Sequence, residues 1–444
     1  MFFYFSFITN LIILYWIPNV MVYYGGMSRL LGMFGIFILS AYISVFYGLA
    51  GMIIGRISEH RLIALILIPS VWVTKDLILE KLFGGFPWEF AGYSQYKNTL
   101  MIQLSEIGGV HFITFLIIFI NVLLFFLIKY KKRKYLIALI ITIVSVYSAG
   151  FFLDRYDRSF ETNISYNAAG IIQPNTGQNI SGHSNRKRIS LNDLFVESRK
   201  LEQKGAEFVI WPEYSIGLAP LQNKFIYNRF DDFSMNHIPL FAGFTDYQSS
   251  EEMYNSIMLF DRGYFQKYDK YRLVPFGEYI PFKKLLFFIN KITDEISDFT
   301  AGKKIFNLKV LGNKVSTPIC YEIIYPRIVR DFIWKGGKAI ILISNDSWYG
   351  TTSAPYQLLS MSVFRSIENR RYLLRSTSNG ISAIIDPRGK IIKKVPLNTE
   401  DSFVSEFKFR NRITFYTKIG FIFPYLTALF VLIFLIRSRI KKDQ

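Results

Sequence analysis

One cysteine, Cys320, stands in 444 residues, so the chain cannot close a disulfide on itself. Histidine is nearly as scarce: there are four, none at the spacing of a metal site, which favours chemistry that needs neither histidine nor metal. Acidic residues number 33 against 52 lysines and arginines, a formal charge of +19. Residues 1–17 lack a basic leader and a small-residue cleavage site, so they are expected to be a retained helix rather than a signal peptide. A lone cysteine is either a buried, inert thiol or one kept for its reactivity.

Apolar residues are plentiful. They make up 51% of the chain and give a mean hydropathy of +0.25, too apolar for an ordinary soluble protein. They gather at the two ends. A membrane helix needs about 20 mostly apolar residues, and candidate spans run over 2–17 (reaching on to 24), 30–54, 62–79, 107–128, 135–153 and 413–436. The first is interrupted by Pro18 and the third carries Lys75 and Asp76. Basic clusters flank these spans at Arg56 and Arg61, at 129–134 (KYKKRK) and at 437–442 (RSRIKK). Cytoplasmic loops collect Lys and Arg. Six spans with the N-terminus inside put all three clusters in the cytoplasm and the polar middle on the opposite face. The positive charge is therefore topological signal, not a nucleic-acid footprint. The expected organisation is 1–153 transmembrane, 164–410 an extracytoplasmic domain, 413–436 a final span and 437–444 a basic tail.

The polar middle alternates short β-branched runs with helical patterns. Strands are expected at 168–174, 208–213, 239–244, 255–260, 315–322, 339–346, 373–379 and 381–386, and helices at 186–203, 325–335 and 354–369. This is an α/β layered sheet of mixed direction. Chemistry in such sheets gathers where strands end. Three ends carry reactive side chains: Glu213 after FVIWP, Lys270 in KYDKYRLVPFGE and Cys320 after VSTPI. A thiol needs a base and a positive neighbour to act as a nucleophile. A carboxylate supplies the first, while an ammonium stabilises both thiolate and oxyanion. Backbone amides from Tyr321 onward are candidates to complete the oxyanion site. The set suits acyl transfer.

At these residues the sequence resembles the nitrilase superfamily, and more closely its membrane branch, the bacterial apolipoprotein N-acyltransferases. The resemblance is carried by WPEYS (211–215), YDKYRLVPFGEYIP (268–281), ICYEIIYP (319–326), SNDSWYG (344–350), the stretch 364–389, and GGFPWEFAGYSQ (84–95) in the membrane part. It implies an αββα sandwich on a multi-pass α-helical membrane domain. Glu213 is then the general base, Lys270 the oxyanion-stabilising cation and Cys320 the nucleophile. Glu278 becomes a second acid that orients Lys270, Tyr321 and Glu322 flank the nucleophile, and Trp348 and Trp88 line the substrate path. Trp348 also reads as a packing aromatic, and Glu322 as a structural ion-pair partner. Arg365, Glu368, Arg371 and Arg375 suit a structural ion network.

The implied reaction needs no cofactor. It moves an acyl chain from a membrane phospholipid through a Cys320 thioester to the α-amino group of a diacylglyceryl-modified apolipoprotein, at the bacterial inner membrane. Residues 282–299 space Leu285, Leu286, Phe288, Ile289, Ile292, Ile296 and Phe299 as a helical apolar face, with Lys283, Lys284 and Lys291 between them. Such a helix lies in the membrane interface, with Phe288 toward lipid, or packs on its own sheet. There are departures: five spans precede the domain where the family typically has seven, and Leu358 stands where relatives often have histidine. Other readings are a membrane-tethered amidase with the same three residues and a non-catalytic scaffold. All three residues are present, which argues against the scaffold.

Overall fold

The computed structural model describes the whole chain apart from residues 24–25, 58–60, 89, 162–163, 177–189, 216–218, 250–251, 280–298 and 441–444. The N-terminal part is helical: α1 (Phe2–Ile13), α2 (Ile17–Tyr23), α3 (Arg29–Ile57), α4 (Arg61–Lys81), α5 (Ser105–Tyr130) and α6 (Arg133–Ser159). Among the described residues, three segments are long and apolar enough to cross a membrane: Arg29–Arg56, Met101–Tyr130 and Arg133–Ser159. Their outward faces are apolar too, with Phe34, Ile38, Met52, Ile128, Ile141 and Phe152 all exposed, as helices solvated by lipid require. The expected first span is instead two helices. Pro18 does not break it; the chain turns over 14–16 and Pro18 sits in the first turn of α2, where its missing N–H costs nothing. At 1.5 Å per residue, α1 reaches only about 18 Å against a core of about 30 Å. In α4 the two awkward charges neutralise each other: Lys75 pairs with Asp76 at 2.5 Å, and its ammonium lies 3.6 Å from the Tyr47 ring centroid.

The α/β part is a two-sheet sandwich. One sheet has six strands in the order β12-β1-β2-β3-β4-β5: β1 (Asn167–Gln173), β2 (Phe208–Ile210), β3 (Leu240–Tyr247), β4 (Met253–Asp261), β5 (Tyr264–Asp269) and β12 (Asp401–Phe407). The other has the order β11-β10-β9-β8, from β8 (Ile340–Ser344), β9 (Leu373–Thr377), β10 (Ala383–Ile385) and β11 (Ile391–Lys394). A separate hairpin pairs β6 (Leu308–Val310) with β7 (Asn313–Val315). The alternation of side chains across a strand builds the layers. Ile171, Phe208, Ile210, Phe241, Ile257 and Leu259 point into one core with Ile341 and Ile343 of the second sheet. Their neighbours Ile172, Val209, Leu240, Ala242, Met258 and Phe260 meet Leu194, Phe195, Phe230 and Phe233 from α7 (Leu191–Gln203) and α8 (Lys224–Asn236). On the far side α9 (Pro326–Trp334) and α10 (Ala354–Asn369) cover the second sheet, giving αββα layers.

Buried polar contacts weld this sandwich to the helices. In α5 the glycines at 108 and 109 break the helical ladder, and Gly109 has φ +70°. The freed Val110 N–H donates to Glu368 Oε1 of α10 at 2.9 Å, and a Cβ on Gly109 would lie 2.7 Å from Tyr416 Cε2. Glu368 also pairs with Arg365 at 3.0 Å, Arg365 reaches the Tyr93 hydroxyl at 2.5 Å, and Arg370 pairs with Glu106. The expected last span does not begin at Ile413. Thr414 caps α11 (Phe415–Ile419) by accepting from Thr417 N–H at 2.9 Å, and donates to the Glu368 carbonyl at 2.6 Å. This pins the segment onto α10, and the apolar helix α12 runs over Ile422–Ile440.

Candidate active site

Glu213, Lys270 and Cys320 each sit just beyond a strand or its bridge. Past β2, Trp211 N–H still bonds to Phe241 C=O at 2.8 Å, and Gly243 N–H bonds to Pro212 C=O at 3.2 Å, which presses the Glu213 turn against β3. That approach requires glycine: a Cβ on Gly243 would lie 2.6 Å from Glu213 Cα. Lys270 follows β5 and is held by its N–H on Asn255 C=O at 2.8 Å. Residues 316–319 run parallel to β8 through single bridges at Ser316–Ile340 and Ile319–Ile343. The sequence expectation of one strand over 315–322 is therefore corrected: pairing stops at Ile319, because Cys320 adopts φ +47° and opens a tight turn, Cys320–Ile324. A left-handed conformation in a non-glycine residue is strained, and it turns the thiol off the sheet.

The side chains converge. Glu213 Oε1 accepts from Asn255 Nδ2 at 2.7 Å and Lys270 Nζ at 3.3 Å, and its Oε2 accepts from the Asn345 backbone N–H at 2.7 Å. Glu278 Oε1 accepts from Lys270 Nζ at 2.8 Å and from Asn255 Nδ2 at 2.7 Å, while Oε2 takes Val274 N–H at 2.8 Å. All four residues are buried. Burial alone would lower the Lys270 pKa, but the Glu213 and Glu278 carboxylates outweigh it and hold the ammonium above its ordinary range. Burial and the Glu213 charge push the Cys320 thiol up, with Lys270 pulling the other way. These influences together favour the neutral thiol over the thiolate.

Glu322 differs from expectation. It is a hydrogen-bond clamp, with no ion-pair partner among the described residues: Oε1 accepts from Tyr268 OH at 2.8 Å, Tyr271 N–H at 2.7 Å and Arg272 N–H at 3.0 Å, and Oε2 from Ile319 N–H at 2.8 Å. It therefore ties the chain just after Lys270 to the residue just before Cys320. Burial raises its carboxyl to about 7, opposed by those donors.

Tyr321 carries the wall of the site. Trp88, from the segment between α4 and α5, stacks on it at 6.5 Å between centroids. Trp88 also meets Trp16 at 4.9 Å, Phe86 at 5.7 Å and Tyr349 at 6.5 Å. Trp348 lies half-buried against the main core. Phe288 and the proposed interfacial helix fall outside the described residues. Sequence reasoning passed over Asn255, Trp16 and Tyr349. Asn255 left one signal, a polar residue at the start of the apolar run NSIMLF. Of the charged group in 364–389, Arg375 pairs with Asp346 at 2.6 Å and Arg371 donates to the Gly337 carbonyl at 2.8 Å, both buried and structural.

Comparison with known proteins matches both parts. Residues 1–123 fit the apolipoprotein N-acyltransferase N-terminal domain, and residues 193–411 fit the carbon-nitrogen hydrolase family. The chain is 30% identical over 434 residues to the apolipoprotein N-acyltransferase of Geobacter metallireducens, covering 93% of this chain and 81% of that one. With the Coxiella burnetii protein of the same name it shares 31% over 367 residues, 82% and 74% of the two chains. Among solved structures, an amidase from Nesterenkonia sp. is similar with a TM-score of 0.42 at 17% identity, over 56% of this chain and 95% of that one. With its matched halves and a relative aligned along nearly all of it, the chain belongs to the apolipoprotein N-acyltransferase family.

Proposed function

We propose that this protein transfers an acyl chain from a membrane phospholipid to the α-amino group of a lipid-modified N-terminal cysteine, with Glu213, Lys270 and Cys320 as its catalytic residues. One observation carries the reading: Trp88, from the N-terminal part between α4 and α5, stacks on Tyr321, the residue that follows Cys320. A wall that the N-terminal part lays beside the nucleophile's turn suits substrates whose acyl chains stay in the bilayer, whereas a soluble amide needs no such wall.

In the first stage Cys320 Sγ attacks the ester carbonyl and its proton passes to Glu213. The oxyanion forms beside the Lys270 ammonium, where low dielectric makes the attraction strong. Collapse breaks the C–O bond, Glu213 returns the proton to the leaving alkoxide, and a lysophospholipid departs from the thioester. In the second stage the α-amine, of pKa about 8, attacks the thioester. Glu213 takes the amine proton, the C–S bond breaks and Cys320 regains its hydrogen. The catalytic domain stands on the extracytoplasmic face, as the basic clusters at 129–134 and 437–442 favour.

The test is conversion of a diacylated lipopeptide to its triacylated form by purified protein given phospholipid. Triacylated product that disappears in Cys320→Ala supports the reading. Release of free fatty acid alone, with the lipopeptide unchanged, contradicts it.

A further inference from the structure

One carboxamide gathers three parts of the chain near the thiol. Gln357, one turn into α10, accepts the indole N–H of Trp16 at 3.0 Å and that of Trp88 at 2.8 Å on its single Oε1. Its Nε2 donates to the Ile13 carbonyl at 3.0 Å, the last residue of α1. The bonds join residues more than 250 positions apart in sequence, 341 for Trp16 and 269 for Trp88. Both indoles are buried, at 5% and 7% exposure. They touch at 4.9 Å, Trp16 meets the Tyr349 ring edge-on at 5.2 Å, and Trp88 lies over Tyr321.

An indole has only one N–H, and when buried it needs a partner. Two N–H groups aimed at one oxygen fix the ring planes relative to each other. The bond to Ile13 also explains why the chain breaks at 14–16: α1 ends where the Ile13 carbonyl is taken by Gln357 instead of by a further helical turn. The rings so fixed form an apolar wall beside the residue that follows the nucleophile.

We propose that Gln357 is a positioning residue for the acyl donor: by holding Trp16 and Trp88 on one oxygen it sets the wall against which a long acyl chain lies when its carbonyl reaches Cys320. The inference rests on the acyltransferase reading. A long chain has to lie along the wall, whereas an acetyl group ends before reaching it. The wall therefore governs long-chain donors and leaves short ones alone.

The experiment measures acylation of Cys320 by intact mass in full-length protein, with a long-chain phospholipid and with p-nitrophenyl acetate. Gln357→Met keeps the shape and removes the bonds; Gln357→Glu keeps an oxygen acceptor; Trp16→Phe removes one N–H and keeps a ring. The expected result is a slowing of at least about tenfold with phospholipid in Gln357→Met, expressed mainly in KM, with p-nitrophenyl acetate unaffected. Trp16→Phe falls in the same direction by less, and Gln357→Glu recovers part of the loss. Equal slowing with both donors in Gln357→Met and Trp16→Phe, or no slowing in either, overturns the proposal while wild-type protein still acylates. Failure of wild-type protein to acylate from phospholipid overturns the underlying reading as well.

Discussion

Lys270 pairs more closely with Glu278, at 2.8 Å, than with Glu213, at 3.3 Å. Glu278 thus holds the ammonium more tightly, leaving Glu213 freer to exchange a proton. Asn255 bridges the same two carboxylates. Replacing the cation by Lys270→Met is expected to lower turnover by about 10²–10³-fold, the usual effect of losing an oxyanion donor. Glu278→Gln, which keeps a hydrogen bond but not the charge, is expected to lose less. Steady-state rates with a lipopeptide acceptor check both, and equal losses would contradict the division of labour.

The thiol supplies a pH test. Burial and the Glu213 charge hold Cys320 above the free-cysteine value of about 8.5. Alkylation of Cys320 by iodoacetamide is expected to keep rising with pH past that value. A plateau near neutrality would mean a thiolate already formed beside Lys270.

Glu322 gives a stability test with a definite sign. Its folded carboxyl titrates at about 7, raised from 4.5. The folded state therefore binds this proton more tightly than the unfolded state does. The stability it confers is complete below the unfolded value and is lost as pH rises through the folded one, on the order of 3 kcal/mol in all. Thermal unfolding midpoints should fall between pH 4.5 and 7 more steeply in wild-type protein than in Glu322→Gln. Equal slopes would show that the clamp is ionised throughout.

The joint between the two parts turns on Arg365 and Glu368, both fully buried and 3.0 Å apart. Glu368→Gln keeps an acceptor for Val110 N–H but leaves the guanidinium unpaired, which is expected to cost about 3 kcal/mol. Adding Arg365→Met should recover most of it, as measured by denaturant unfolding in detergent. Additive losses would mean the pair does not act as a unit.

Much of this was legible in the sequence, and what escaped did so for physical reasons. The buried strands β1, β3, β4, β8 and β9 show themselves as apolar runs because both of their faces are covered. The edge strands β11 and β12, written IIKK and DSFVSEF, expose one face to water and carry no such signature. The helix α8 had a signal that went unread: Ile226, Phe230 and Phe233 follow helical spacing behind the Asn223 cap. Glu213, Lys270 and Cys320 stood out by chemical type at strand ends and by the motifs around them. Asn255 left only its polar place at the head of an apolar run and Trp16 left nothing, since their partners are set by tertiary packing.

The central claim is that Cys320 carries the acyl chain, and the intact mass of the protein tests it most directly. After incubation with phospholipid and no acceptor, the mass should rise by one acyl group that hydroxylamine removes and that Cys320→Ala never gains. Adding a diacylated lipopeptide should discharge it as triacylated product. An unchanged mass during turnover, or an acyl group retained in Cys320→Ala, would contradict the account.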